Sequence, residues 1–228
     1  MSDFHLNGYA LADVTLTDTQ CDHLAASIPS AGASRGGTRG LLSHPTVLQL
    51  LLHKQLGGYL WSLVGRDLVA VQATLYDRMP PAHRRGEWHQ DRVIEVRERM
   101  DVAGYGPWSV KNGVPRVEPP ASVLEQMLAL RLYLDACGPE DGPLRVLAGS
   151  HDRGKLSAEE LEAEVSAGHA VDLHVRKGGV MVMRPLLVHS SAPARVPSHR
   201  RVLHIVLAPA ESISPLEWQT AVQLRRAA

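Results

Sequence analysis

Apolar and polar positions change period several times along this chain, and the changes mark its elements. Alternation from Gly8 to Val14 fits a short opening strand. Thr17 followed by Gln20 is a capping box, which predicts a helix with the apolar stripe Cys21, Leu24, Ala25 and Ile28. The Gly- and Ser-rich run from Ala31 to Gly40, which carries Arg39, reads as a loop. Ser43 then caps a long helix with Pro45 in its first turn. Its buried side is expected to be Val47, Leu48, Leu51, Leu52, Leu56, Leu60, Trp61 and Leu63, and Gly65 ends it.

From Leu68 to Met79 the period falls to two. Val69, Val71, Ala73 and Leu75 form one face, and Gln72, Thr74, Tyr76 and Arg78 the other. On an ordinary half-buried sheet the polar face meets solvent. In a barrel with a functional interior it lines the site, and this strand leads straight to Trp88-His89-Gln90-Asp91. The stretch Met100 to Pro120 is too long for an ordinary connection and fits an active-site lid. A short helix from Ser122 precedes a strand over Leu128 to Asp135, a turn over Gly138 to Gly142 and a returning hairpin strand, Pro143 to Leu147. Ser157 with Glu160 caps another helix. Val171 to Val175, Val180 to Met183 and Arg200 to Leu207 are further strands, and Leu216 to Leu224 is expected to close the chain as a helix.

Helices first and then many strands predict an α+β protein with a double-stranded β-helix core of jelly-roll or cupin type. The core is expected over about 68–208, with N-terminal helices (1–67) packed on one sheet and a C-terminal helix over 212–226, all in a single domain. With 24 basic against 24 acidic residues and no like-charge block, nothing favours nucleic acid or an anionic membrane as partner. The apolar stretch from Val47 to Val64 is interrupted by His53, Lys54 and Gln55 and does not span a bilayer. Cys21 and Cys137 lack metal-type spacing, and no signal peptide is read at the N-terminus. A cytoplasmic monomer or homodimer acting on a small molecule is the expectation.

The chemistry begins at His89 and Asp91. Two positions apart on an extended segment, they leave the backbone on the same side, as two ligands of a 2-His-1-carboxylate facial triad must. The bland reading is an exposed His-Asp pair at a strand end. A third ligand has to come from another strand, and His189 ends the apolar run that starts at Val180. A histidine in that position is otherwise a hydrogen-bonded core residue. Arg200 and Arg201 tip the balance, because an arginine entering a barrel needs an anion, and a guanidinium grips a carboxylate with two hydrogen bonds. Neighbouring strand residues point opposite ways, so a slip of one position would exchange the two arginines.

WHQD, then DGPLRVLAGSH at Asp141 to His151, then HSS at His189 to Ser191 with an arginine eleven positions after His189, resembles the phytanoyl-CoA dioxygenase family of Fe(II)- and 2-oxoglutarate-dependent oxygenases. The resemblance runs from about Gly8 to Ala208. It implies that His89, Asp91 and His189 hold iron, that Arg200 anchors the distal carboxylate of 2-oxoglutarate with help from Ser191, and that Gln90 and Arg131 lie near the cosubstrate; Thr74, on the polar face of its strand, is a further candidate contact to cosubstrate or substrate. An arginine at 131 departs from the commonly aromatic residue of the family. The intact carboxylate of Asp91 argues against halogenation and for hydroxylation or another oxidation. Dioxygen is then the oxidant, and 2-oxoglutarate leaves as succinate and carbon dioxide. Tyr76, Arg78, Arg39, Trp108 and Lys111 are the expected substrate contacts, and their cations favour an anionic molecule such as an amino acid or another carboxylate. His151, Cys137, His174 and His204 are expected to be structural or surface residues. Two competing readings are a cupin-like metal enzyme without 2-oxoglutarate, which gives the arginine strand no role, and an inactive binding module of the same fold.

Overall fold

A computed structural model describes residues 3–29, 37–78, 86–196 and 199–225. Part of the expected loop after the first helix, the side chain of Arg78 and Met79 lie outside the described residues. Two antiparallel sheets face each other. The larger has six strands, in the order β1 (Tyr9–Thr15), β9 (Gly179–Met183), β6 (Leu128–Tyr133), β11 (Arg200–Ala208), β2 (Val69–Arg78) and β12 (Val222–Gln223). The smaller has three: β10 (His189–Ser191), β7 (Leu144–Leu147) and β8 (Ala170–Leu173). A further small sheet, β3 (Ile94–Glu95), β5 (Val114–Val117) and β4 (Trp108–Lys111), flanks the opening. This is the expected jelly-roll core.

The outer face of the large sheet is apolar along every central strand. Leu128, Leu130 and Leu132 of β6, Leu203, Ile205 and Leu207 of β11 and Val180 and Val182 of β9 are all buried there. Helices cover them: α1 (Asp18–Ser27) with Cys21 and Leu24, α2 (Pro45–Leu51) with Val47, Leu50 and Leu51, and α3 (Lys54–Val64) with Leu56, Leu60 and Leu63. Each fully buried aliphatic side chain contributes about 1.5–3 kcal/mol, so this layer dominates the stability of the core. Both predicted capping boxes form, Thr17 with Gln20 on α1 and Ser157 with Glu160 on α4 (Ala158–Ala167).

Several expectations are corrected. The long helix from Ser43 is two helices. Ser43 bonds back to Gly40, His44 stands at the N-cap, and the first helix tightens at its end, where His53 N–H bonds Leu50 O. The second helix restarts in a new phase that aims Leu56, Leu60 and Leu63 at the sheet and leaves Leu52 and Trp61 exposed. Strand β2 does not keep one face throughout. A register shift opposite Val206/Leu207 turns Val69 and Val71 inward, while Ala73 and Leu75 face the helices. Within Met100 to Pro120 lies a hairpin, β4 and β5, turned at Asn112-Gly113, both of which have positive φ. Strand β7 is not the hairpin partner of β6. Both edges of β6 are taken by β9 and β11, so the chain crosses to the other sheet and β7 pairs with β10 and β8. Among the described residues the C-terminal helix is absent. Leu216 and Trp218 are buried and Val222 and Leu224 half-buried at even spacings, and Val222–Gln223 adds to the edge of β2.

Candidate active site

Strand β11 shows how the site is built. Its odd-numbered residues from Arg201 to Leu207 face outward, and Arg200, Val202, His204 and Val206 face inward. Register aligns Thr74 of β2 and Arg131 of β6 with His204, so three polar side chains form one row across the inner face. Apolar inner clusters flank the row, with Tyr133, Met181 and Val202 on one side and Val69, Val71 and Ala208 on the other. The polar row marks where the interior stops being core.

His89 and His189 meet across an antiparallel bridge, each backbone N–H donating to the other's carbonyl at 3.0 Å. Asp91 N–H donates to Pro185 O at 2.8 Å, which fixes the carboxylate beside them. Nδ1–H of His89 donates to Glu87 O at 2.8 Å, and Nδ1–H of His189 to Leu187 O at 2.9 Å. With Nδ1 committed, both Nε2 atoms turn to Asp91, 3.9 Å from His89 and 3.8 Å from His189. The ligand atoms of the three residues lie within 4.8 Å of one another. Backbone carbonyls that fix the tautomer are what a metal-binding imidazole requires.

The electrostatics agree. Burial holds His189 neutral, its pKa pushed down to about 4, which leaves the Nε2 lone pair available. Burial opposes ionisation of Asp91, but His189, His204, His89 and Arg131 outweigh it and hold the carboxyl below its ordinary value. Two imidazoles, each with Nδ1–H committed to a backbone carbonyl, and one carboxylate fit a divalent ion with positions left open.

A cavity of about 220 Å³ runs from this triad to Arg200 and Ser191. Arg200 is 5 % exposed, donates to Gly142 O and sits 3.5 Å from Ser191 Oγ. Arg201 points the other way and is engaged by Asp135 through three hydrogen bonds of 2.6–2.9 Å. The cavity therefore has one arginine at its far end, at the position the spacing favoured. Arg131 and His204 line it as well, and Arg131 Nε and His204 Nδ1 are buried without hydrogen-bond partners. An unpaired buried guanidinium donor beside an ion site fits an anionic, chelating cosubstrate.

A second cavity, of about 210 Å³, shares Tyr76, Asp91 and His204 with the first and is lined at its other end by Arg39 and Arg116. Gly37, at φ +63°, lets the 37–39 segment run against β2, where Thr38 pairs with Leu75 and delivers Arg39 to the opening. Four expected contacts are placed differently. Gln90 spends its amide on Gly154 O, Leu186 O and Leu156 N–H, leaving no donor for a cosubstrate. Thr74 is buried and lies on the wall of neither cavity. Trp108 packs with the small-sheet cluster under Arg99, and Lys111 is exposed on its hairpin.

His204 and Arg116 were not expected at the site. His204 is 6 % exposed, meets Tyr76 edge-on at 5.8 Å between ring centroids, and is kept neutral by burial with its pKa at about 4. Counting in twos from Arg200 reaches it, so period alone would have found it. Arg116 carried no such signal, because its strand was read as a loop.

The family model described as phytanoyl-CoA dioxygenase matches residues 29–202. No curated protein matches the chain. Among solved structures it is similar to EctD from S. alaskensis in its apo form, with a TM-score of 0.71 at 18 % identity over 99 % of this chain and 85 % of that one. It is also similar to SnoK, a non-heme alpha-ketoglutarate-dependent carbocyclase from nogalamycin biosynthesis (0.67, 18 %, 91 % and 81 %). HygX from Streptomyces hygroscopicus, with nickel and 2-oxoglutarate bound, gives 0.63 at 17 % identity over 90 % and 84 %.

Proposed function

The chain belongs to the phytanoyl-CoA dioxygenase family, and from that premise we propose that it hydroxylates an unactivated C–H bond of a small anionic molecule. Its cofactors are those of the family, Fe(II), 2-oxoglutarate and dioxygen. The observation that carries the reading is the convergence of His89, Asp91 and His189 at one end of a cavity whose other end holds Arg200.

In this reading His89, Asp91 and His189 would hold the iron, and the backbone-fixed tautomers of the two histidines keep each Nε2 directed at the site. Arg200 receives the distal carboxylate of 2-oxoglutarate through its planar fork, and Ser191 adds a hydroxyl. Arg131 offers a donor to the iron-side end of the cosubstrate. When bound, iron and 2-oxoglutarate would supply, with dioxygen, the oxidising power for C–H hydroxylation, one oxygen atom going to the product and the other to succinate. The chain itself positions and shields. His204, Tyr76 and the apolar strip of Leu124, Met127 and Val206 form the wall against which a substrate C–H is presented. His204 stays neutral, so it adds no charge beside the centre. The intact Asp91 leaves no open halide position in the ligand set, so the reading is an oxidation such as hydroxylation rather than halogenation.

An anaerobic titration of the apoprotein with Fe(II) and 2-oxoglutarate tests the cofactor half, through the weak visible charge-transfer band of the chelate. A screen of small carboxylates and amino acids for succinate release and a product one oxygen heavier tests the other half. Iron binding without the band would bring back the cupin-like reading. A product without added oxygen would replace hydroxylation by ring closure or epimerisation.

A further inference from the structure

The outer end of the second cavity contains an ion arrangement that the site described above does not use. Arg39 and Arg116 share one carboxylate, Glu95 of β3. Its Oε1 lies 3.6 Å from Arg39 and 3.9 Å from Arg116, too far for a hydrogen bond to either. The Nε atoms of both arginines are buried without a hydrogen-bond partner. Lys111, on the neighbouring hairpin strand, is close enough that Arg39 and then Arg116 depress its pKa. Two guanidiniums thus face one loosely held carboxylate. Arg92, which also lines the cavity, is matched by Glu118 at 3.4 Å and donates to Leu156 O. The inner end of the same cavity carries Asp91 and an apolar wall that includes Ile94, Leu124 and Val206.

We propose that Arg39 and Arg116 form an oxyanion clamp for the substrate, seizing its carboxylate or phosphate at the outer end while its aliphatic body extends inward to Asp91. Glu95 holds the two guanidiniums in place before substrate arrives and competes with the incoming anion. Two planar forks with unused donors suit an oxyanion far better than a neutral amide, because a buried donor regains its lost hydrogen bond only from an acceptor. An anion at this end also lies away from the carboxylate of Asp91. The inference rests on the proposed function and specifies which end of the substrate is held, and by what.

The test is calorimetric titration of the protein loaded anaerobically with Fe(II) and N-oxalylglycine, so that Arg200 is already occupied. The probes are hexanoate, hexyl phosphate and hexanamide. At least one oxyanion is expected to bind about tenfold tighter than the amide or better. Whichever of carboxylate and phosphate binds tighter identifies the group. Arg39→Gln and Arg116→Gln should each remove the preference, and Glu95→Gln should enlarge it by removing the competitor. Arg39→Lys and Arg116→Lys, which break the fork but keep the charge, replace any glutamine variant that fails to fold. No oxyanion preference, a preference that survives both arginine changes, or weaker oxyanion binding in Glu95→Gln would each overturn the clamp. A missing charge-transfer band in the parent protein would instead overturn the cofactor assignment, so the two failures are distinguishable.

Discussion

The two faces of the large sheet are made by the same strands and follow opposite rules. Towards the helices, β6, β9 and β11 present an unbroken aliphatic layer, from Leu130 and Val182 to Leu203 and Ile205. Towards the small sheet, the same strands interrupt their apolar residues with Arg131, His204 and Arg200. The first face can be built from any well-packed aliphatic set. The second keeps buried polar groups that cost stability unless something answers them. The helix side therefore carries the fold, and the inner side spends part of that stability on chemistry.

Separating the two faces by mutation is the direct way to break or sharpen that contrast. His189→Ala is expected to have the largest effect. It should abolish the Fe(II)–oxoglutarate band and lower turnover by about a thousandfold or more, with the melting temperature of the apoprotein little changed. Retained iron binding would remove His189 from the ligand set. Leu203→Ala, one residue from His204 but on the opposite face, should cost about 2–5 kcal/mol in a denaturant titration while the band of the folded protein survives. A Leu203 variant that folds normally but loses iron would erase the distinction between the faces.

Arg200 and Arg201 repeat the contrast within adjacent residues. Arg200→Ala should weaken 2-oxoglutarate binding roughly 30- to 100-fold, the worth of a charge-assisted pair of hydrogen bonds. Arg201→Ala breaks the ion pair with Asp135 on the outer side, so it should cost about 1 kcal/mol of stability and leave cosubstrate affinity unchanged. The reverse pattern, read from the charge-transfer titration, would mean the inner and outer positions have been exchanged.

Legibility in the sequence divides along the same line. The outer face was readable because burial against helices imposes period two on strands and a stripe on helices, as in Leu128 to Leu132 and Leu56 to Leu63. Capping boxes were readable because their side chains act within one turn. What failed was non-local. The parity change in β2 comes from a register shift set by β11, and β7 changes sheet because its neighbour's edges are occupied. On the inner face, three local motifs pointed to His89, Asp91 and His189, and the spacing to Arg200. Arg116 and Glu95 meet only through the pairing of β3 with β5, which no motif encodes. The Asn112-Gly113 turn that builds this small sheet was a local signal, hidden inside a stretch assigned to a lid.

Gln90 sharpens the contrast from the opposite direction, as an inner-side residue whose geometry is that of a brace. Its amide ties the metal-binding segment to Gly154 and Leu186 at 2.8 Å each and accepts from Leu156 N–H at 3.0 Å. Gln90→Ala should therefore cost about 2 kcal/mol by unpairing buried backbone groups. The affinity of the folded protein for 2-oxoglutarate should change by less than about threefold. A tenfold loss of affinity without destabilisation would return Gln90 to the cosubstrate, where the family resemblance placed it.

The gentlest probe of the inner face is acid. Burial holds His204 at about 4 in the folded protein, below its ordinary value of 6.5. Between those values the unfolded chain binds a proton that the folded chain refuses, so folding stability of the apoprotein falls as the pH drops from 6.5 towards 4 and is fully retained above that window. His189, also held at about 4 by burial, contributes in the same sense. His204→Phe keeps a flat ring beside Tyr76 and removes one of the two protons. The slope of unfolding free energy against pH should then shrink by up to about 1.4 kcal/mol per pH unit, with the remainder left to His189. An unchanged slope would mean that His204 already finds a partner for its charge when the protein is folded, and the polar row would then be paired rather than poised for a ligand. A reduced slope, with the outer face untouched, locates the cost of the site in this row: a histidine kept neutral where an aliphatic residue would have been more stable.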